Sequence, residues 1–437
     1  MPKYAFVATF GCQMNEHDSE YMSAALCNMG YGLTQDLAEA DLVLVNTCSI
    51  RQKAEEKAYS LLGRLKKYKE IRPHLMTIVA SCLAQQEGKK LFHRVPHLNL
   101  VIGTRGVYRL PELLVRAENT ARKIAYTALS DGYECYSPSL PGCRKIKSYV
   151  NIMTGCNNFC SYCIVPYVRG REISRKSSDV LKEIECLVEQ GVKEITLLGQ
   201  NVNSYGKGLD KECSFAELVR RIDSIEGMER LRFTTSHPKD LSDELSGCFG
   251  ELKSLCPHIH LPVQSGSDKI LKMMNRKYTR DDYLERVSKL RRVSPGITLT
   301  TDIIVGFPGE SENDFEDTLK TMEEVRFAGA FAFKYSDRPP AKAASFKEKL
   351  PDEIKRERLS AVLALQEKLT YNLHESMVGK TVEVLIEGYS KNSRREWMGR
   401  TRTGEVVNIT GGTDALGKTL RVRIEKACPH SLKGTLC

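Results

Sequence analysis

Ser148-Tyr149-Val150-Asn151-Ile152-Met153-Thr154-Gly155-Cys156-Asn157-Asn158-Phe159-Cys160-Ser161-Tyr162-Cys163 holds three cysteines at i, i+4 and i+7. That spacing would also suit a buried helical stripe. Gly155, Asn157, Asn158 and the nearby Pro166 argue against a helix, while the β-branched and aromatic run before them reads as a strand. The cysteines therefore sit on a loop leaving a strand. C-x3-C-x2-C supplies three thiolates to a cluster that normally takes four. One iron of such a cluster is left open for a substrate or cofactor.

Outward from this loop the pattern is α/β. Strand candidates at 149–153, 194–198, 230–235, 258–263, 298–305 and 330–335 alternate with helices such as 178–190 and 281–292. Ser311 and Asp314 form a capping-box signal for the last crossover helix. Six β-α units predict a partial (βα)6 parallel barrel, followed by a charged connector helix over 351–376. Upstream, strands at 4–9, 41–46, 76–80 and 98–102 alternate with helices at 18–29 and 52–69, which predicts a doubly wound parallel sheet. The second of these helices has a basic face of Arg64, Lys66, Lys67 and Lys69. Periodicity is lost from about 120 to 145, where Pro138 and Pro141 mark a linker. The runs 381–386, 406–409 and 420–424 alternate at period two between glycine-rich turns, as in a small antiparallel β-barrel. The expected division is 1–120, a linker at 121–141, a core at 142–374 and the small barrel at 375–437.

A chain of 437 residues exceeds one core, in line with that division. No apolar run approaches the roughly 18 residues of a membrane span, and no cationic leader precedes the first strand. Fifteen cysteines in such a chain imply a reducing, cytoplasmic setting in which thiols serve metals or catalysis rather than disulfides. The net charge of +10 is compatible with a polyanionic partner. Residues 376–437 carry eleven basic against six acidic side chains.

Cys12, Cys48 and Cys82 are far apart in sequence, yet each closes a predicted strand. Ligands bind at the carboxyl ends of parallel strands, so three thiols can converge there. The alternative is three small buried hydrophobes. The flanks Gly11-Cys12-Gln13-Met14-Asn15, Asn46-Thr47-Cys48-Ser49 and Cys82-Leu83-Ala84-Gln85 are polar and turn-prone, unlike those of core cysteines.

The second triplet, with Tyr162 before its last cysteine, resembles the cluster motif of radical S-adenosylmethionine (SAM) enzymes. Both triads together, with Ile164-Val165-Pro166-Tyr167-Val168-Arg169-Gly170-Arg171-Glu172, resemble the methylthiotransferases of that group over nearly the whole chain. The family ends in a TRAM domain, an RNA-binding barrel. The resemblance implies two [4Fe-4S] clusters. One, on Cys156, Cys160 and Cys163, would coordinate SAM; the other, on Cys12, Cys48 and Cys82, would deliver sulfur. In the family one SAM methylates that sulfur and a second generates a radical, fed by an external electron donor. Gly199 and Gln200 resemble the element that holds the SAM amino group, and Ile304 and Gly306 the one beside its adenine. Tyr162 is included with the SAM contacts, and Ser236 and Gln264 are placed there by strand end alone.

Gln13-Met14-Asn15, Cys48-Ser49-Ile50-Arg51 and Asn157-Asn158 most resemble the branch acting on carbon 2 of isopentenylated (dimethylallyl) adenosine beside the tRNA anticodon. The anticodon arm would be the partner of a monomeric enzyme. An inert C–H bond there is beyond acid–base activation at neutral pH, which is why radical chemistry is needed. Branches acting on a ribosomal protein aspartate or on threonylcarbamoyl-adenosine usually differ at these positions. A non-enzymatic alternative is an iron–sulfur carrier with an RNA-binding tail, which would normally saturate its iron with four ligands. Ser81 stands where glycine commonly precedes the third cysteine, and Thr154 where glutamine commonly precedes Gly155. The other nine cysteines are expected to be structural or incidental. His237, His258 and His260 are expected to be packed or solvent-facing, and Trp397 to lie in the small barrel's core.

Overall fold

Lys3–Phe10, Leu42–Thr47, Met76–Ala80 and Leu100–Ile102 pair in parallel in that order, as the β-rich runs predict. In the computed structural model, residues 2–49, 52–120, 122–129, 145–209, 213–390, 393–410 and 415–437 are described. The chain divides into two units. Met1–Cys143, Tyr149–Asn157 and Ile164–Arg175 make one; Arg144–Ser148, Asn158–Cys163 and Lys176–Cys437 make the other.

The first unit's sheet has six strands, because Tyr31–Leu33 and Ile124–Tyr126 add parallel edges to the four. Sequence reading misses both edges, since three residues carry no periodicity. Ile124–Tyr126 adds a short edge strand within the stretch expected as linker, and the proline-rich stretch 137–142 lies outside the described residues. Leu42–Thr47 is buried at every position, so both faces are covered. Helices Gln13–Asn28 and Leu110–Thr120 pack Met22, Leu26, Leu113 and Leu114 on one face. Helix Gln52–Ile71 packs Leu61, Leu62 and Leu65 on the other. This is the doubly wound arrangement. The short helix Val165–Val168 also belongs to this unit, with Ile164 and Val168 packed against Cys82.

In the second unit Glu194–Leu198 pairs with Arg230–Thr234, and His258–His260, Thr298–Val305 and Gly329–Lys334 follow in order, all parallel. A single bridge, Leu231 to Leu255, links the two groups. The amides of Lys193 and Glu194 bond the carbonyl of Ile146, where the strand Lys147–Asn151 begins. This succession is the partial parallel barrel expected. The strand expected at 258–263 stops at His260 because Pro262 has no amide to donate. Ser311 and Asp314 cap helix Glu312–Val325 reciprocally, as their spacing predicts.

The C-terminal residues form a closed barrel of five strands, in the spatial order Thr381–Ser390, Ser393–Thr401, Val406–Thr410, Ser431–Leu436, Thr419–Cys428. Its pairings are antiparallel except for Val406–Thr410 with Ser431–Leu436. Trp397 lies in its core with Val384, Val407, Ile424 and Leu432, and its ring stacks on Tyr389 at 4.2 Å. The barrel docks on the amino-terminal ends of the core strands. The buried Arg230 donates to the carbonyls of Arg400 (2.8 Å) and Glu383, Arg232 to Thr401, and Thr298 to Thr403 (2.7 Å). The carboxyl ends of the same strands are thereby left for chemistry.

Candidate cluster and cofactor sites

Cys12, Cys48 and Cys82 follow three adjacent strands of the first unit. Cys12 caps helix Gln13–Asn28, its amide bonded to Asn15 Oδ1 at 3.2 Å. Cys48 follows Leu42–Thr47 and donates its amide to the Phe10 carbonyl. Cys82 opens helix Cys82–Glu87. Gly11 adopts φ +149°, and a Cβ there would come within 2.7 Å of the Cys48 Cβ, so only glycine lets the first loop approach the second. The buried Asn15 and Asn46 lock this approach: Asn15 Nδ2 donates to Asn46 Oδ1 (2.9 Å), and Asn46 Nδ2 to the Asn15 carbonyl (2.7 Å) and Ser19 Oγ.

The three thiols meet. Cys48 hydrogen-bonds both Cys12 and Cys82. It keeps the proton, its pKa raised well above the ordinary thiol value by those two bonds and by burial. The bond from Cys48 lowers Cys12 to about 6 and Cys82 to about 7, against the opposing effect of burial and helped by the Arg169 guanidinium. Arg169 is itself buried, hydrogen-bonds Cys82, and pairs with Asp18 at 3.4 Å; Asp18 also accepts from Ser81 Oγ at 3.2 Å. Among the described residues no three His, Cys, Asp or Glu side chains are set around a single metal ion. Three soft sulfur donors, two of them easily ionised and the third hydrogen-bonded to both, suit an iron–sulfur cluster. Sequence reading misses Arg169 and Asp18. Asp18 follows Cys12 by six residues but carries no motif of its own, while Arg169 is distant from the triad in sequence and only the return of residues 164–175 to this unit brings it in.

In the second triad Cys156 belongs to the first unit, its amide bonded to the Gly170 carbonyl at 3.2 Å. Gly155, at φ +81°, lies so close to the Arg171 carbonyl that a Cβ would collide with it. Cys160 and Cys163 belong to the second unit, where residues 273–276 hold their loop. Asn275 Nδ2 donates to the carbonyls of Asn158 (3.2 Å) and Phe159 (3.0 Å), and Ser161 bonds the carbonyls of Met273 and Met274 through its hydroxyl and amide. Arg276 reaches Cys160 Sγ at 3.5 Å, Tyr162 Oη at 3.4 Å, Tyr278 Oη at 3.0 Å and the Pro262 carbonyl at 2.8 Å. The loop thus has a fixed backbone and two sulfurs presented from it. Nothing in the primary structure points to residues 273–276.

Just past the core strand ends lie buried polar atoms without a hydrogen-bond partner among the described residues: Asn201 Oδ1, both amide atoms of Asn203, Ser236 Oγ, His237 Nε2 and Gln264 Oε1. His237 is kept neutral, its pKa lowered to about 2 mainly by burial and then by Arg276; its Nδ1 accepts from the Lys239 amide, which leaves the proton on Nε2. Buried polar atoms are rarely orphaned unless something binds them, so this array fits a polar, zwitterionic cofactor such as SAM. Ser236 and Gln264, placed by strand end alone, fall in it; Asn203 and His237 are additions. Tyr162 and Ile304 pack at the edge of an apolar cluster with Phe307 and Tyr335. The remaining expected contacts are partly engaged. The Gly199 amide and carbonyl bond Thr234 and Thr235, and the Gly306 amide bonds Glu310 at 2.6 Å. Gln200 follows Gly199 at the end of Glu194–Leu198.

Residues 4–103 match the model of an uncharacterized protein family, UPF0004; residues 150–322 match the radical SAM superfamily; residues 375–437 match the TRAM domain. Relatives named tRNA-2-methylthio-N(6)-dimethylallyladenosine synthase include that of Syntrophus aciditrophicus, 49% identical over 99% of this chain and 94% of the relative. That of Geobacter metallireducens is 50% identical over 99% of this chain and 98% of the relative. Among solved structures, the radical SAM methyltransferase TsrM from Kitasatospora setae superposes with a TM-score of 0.56 at 13% identity, covering 79% of this chain and 75% of that one. The cobalamin-dependent SAM radical enzyme OxsB gives 0.51 at 13% identity, covering 84% and 56%. These two are likenesses of fold.

Proposed function

This chain belongs to the family of tRNA-2-methylthio-N(6)-dimethylallyladenosine synthases, and from that premise we propose how its residues divide the reaction. It is a radical SAM enzyme that transfers a methylthio group to carbon 2 of N6-dimethylallyladenosine in tRNA, with SAM and iron–sulfur as cofactors. Among the described residues no helix is long and apolar enough to cross a membrane.

The observation that carries the residue assignment is the meeting of three thiols at adjacent strand ends, in a chain that also has the C-x3-C-x2-C loop. Two four-iron clusters are proposed, one on each triad. When bound, these groups and SAM supply one-electron chemistry for an inert C–H bond and a site from which sulfur leaves. Cys156, Cys160 and Cys163 hold the cluster that SAM completes. Asn203, Ser236, His237 and Gln264 orient SAM, with Gly199, Gln200 and Gly306 lining the strand ends and Tyr162 and Ile304 supplying apolar contact. Cys12, Cys48 and Cys82 hold the sulfur-delivering cluster, which requires Cys48 to give up the proton it shares. The division into 1–120, 121–141, 142–374 and 375–437 is kept as a division of labour, with the barrel contributing tRNA affinity. Two SAM per turnover, an external electron donor, the anticodon arm as the bound element, a monomer and a cytoplasmic setting complete the proposal.

The test separates the triads. Anaerobically reconstituted protein should bind two clusters. Substituting Cys156, Cys160 and Cys163 by Ala should leave one and abolish deoxyadenosine formation; substituting Cys12, Cys48 and Cys82 should leave SAM cleavage but no methylthio product. Methylthio nucleoside made by the second variant, measured by mass spectrometry, would overturn the assignment.

A further inference from the structure

Arg169 is a buried cation on a segment that follows the second cysteine triad but folds with the first. Val165–Val168 is a short helix, and the Arg169 amide closes it on the Val165 carbonyl at 2.8 Å. Thr104 Oγ1 holds the Val168 carbonyl at 2.6 Å and Arg105 the Arg169 carbonyl at 3.3 Å, while Ile164 and Val168 pack on Cys82. The segment is fixed at both backbone and side chain, so the guanidinium has no freedom to swing to solvent. On one side it meets Asp18 at 3.4 Å; on the other it hydrogen-bonds Cys82. Arg169 and Asp18 side chains are 6% and 4% exposed, so neither charge is screened by water.

A buried ion pair is ordinarily a poor source of stability, because desolvation offsets the attraction. This one becomes useful if a further negative charge arrives beside it. Three thiolates on a doubly positive four-iron core leave one net negative charge, and one-electron reduction makes it two. A fixed cation in a dry site favours that added electron, and charge near a cluster is one of the factors that set its potential.

Resting on the assignment of Cys12, Cys48 and Cys82 to a cluster, we infer that Arg169 is the counter-charge of that cluster and that Asp18 both holds it and moderates it. Arg169 is a positioning and tuning residue, not one that touches substrate. A purely structural role makes a different prediction. If Arg169 and Asp18 only brace the segment 164–175 against helix Gln13–Asn28, losing either should loosen the site in the same way. If charge matters, the two losses must act in opposite directions.

The experiment uses the full chain with Cys156, Cys160 and Cys163 replaced by Ala, so that only the N-terminal cluster is loaded. Its iron content, electron paramagnetic resonance signal and midpoint potential are measured. Arg169→Gln should shift the midpoint to more negative values, Asp18→Asn to more positive values, and the double variant should return toward the parent; Arg169→Lys should lie close to the parent. Shifts of the same sign, or unchanged potentials with iron retained, would overturn the inference. Should Arg169→Gln fail to retain iron, Asp18→Asn alone decides: a positive shift sustains the counter-charge, while no shift or a negative one ends it. A parent that binds no iron would instead refute the cluster assignment itself, and this inference with it.

Discussion

The Arg276 guanidinium lies 3.5 Å from the Cys160 sulfur. Among the described residues no carboxylate pairs with it; its charge is met by a thiol, two phenols and the Pro262 carbonyl. Arg276→Met should therefore do two things. It leaves the Pro262 carbonyl without this donor, at a cost of about 1–3 kcal/mol. It also releases the loop on which Cys160 and Tyr162 sit, lowering iron retained by the second triad. Arg276→Lys keeps a charge but gathers its donors on one nitrogen, which cannot reach the partners that Nε, Nη1 and Nη2 meet separately, so it should fall between the two. Urea unfolding and the cluster's resonance signal check this; a Met variant equal to the parent in both would refute it.

Local features of the site are legible in the sequence. The Ser311–Asp314 cap and the bend of the 155–163 loop depend on residues a few positions apart, so the chain order itself carries them. The convergence of Cys12, Cys48 and Cys82 is also legible, through the strand-end rule. Arg169 and Arg276 are not, because each reaches its cysteine from a distant segment; Arg169 is held by Asp18, and Arg276 by hydroxyls and a carbonyl, none with a sequence signature. The barrel shows a second limit. Ser393–Thr401, with charged residues in succession, lacks a period-two pattern and does not read as a strand. Charge counting also treats every cation alike, yet Arg402 donates to the carbonyl of Leu255 and Arg400 pairs with Glu387. Lys391 lies outside the described residues.

Ser81 has φ +70° and ψ −141°, a region that costs a side-chain-bearing residue about 1–3 kcal/mol. This is the physical reason glycine suits the position before the third cysteine. Ser81 offsets part of the cost through its bond to Asp18 at 3.2 Å, worth about 1 kcal/mol. Ser81→Gly should be as stable as the parent or up to about 2 kcal/mol more so. Ser81→Ala keeps the strain, loses the bond and should be about 1 kcal/mol less stable. Chemical denaturation of the three proteins would show the order; alanine at or above glycine would refute the strain.

His258 is held neutral to about pH 3, from an ordinary 6.5, by burial first and then by Arg232, His260 and Arg400. The barrel turn at Gly404 lies over its ring, where a Cβ would come within 3.5 Å. The unfolded chain takes up the proton near pH 6.5 and the folded chain only near 3, so the unfolded state binds more protons between them. Stability contributed by this group is complete above about 6.5 and falls as pH drops toward 3, by at most about 1.4 kcal/mol per unit. His237, lowered to about 2, acts in the same direction. His258→Gln should flatten the loss between about pH 7 and 5 relative to the parent. Parallel curves for parent and variant would show that His258 is not the group.

Arg421, Arg423 and Lys426 are exposed along Thr419–Cys428 and make no ion pair among the described residues. They are barrel cations available for phosphate, in contrast to Arg400 and Arg402. Removing the whole barrel is a poor test of this. Truncation after Glu375 would strip the buried Arg230 of the Arg400 and Glu383 carbonyls and leave its charge less compensated, so core stability should also fall. Replacing Arg421, Arg423 and Lys426 together by Gln leaves that interface intact. Such a variant should bind tRNA more weakly, and its logarithmic salt dependence should flatten by about 0.7–0.9 for each phosphate no longer neutralised. SAM cleavage without tRNA should equal that of the parent, because the barrel sits at the amino-terminal ends of the core strands and the proposed SAM site at the carboxyl ends. Filter binding across a salt series reads the slope directly. An unchanged slope would move the tRNA-binding role from this strand to another surface.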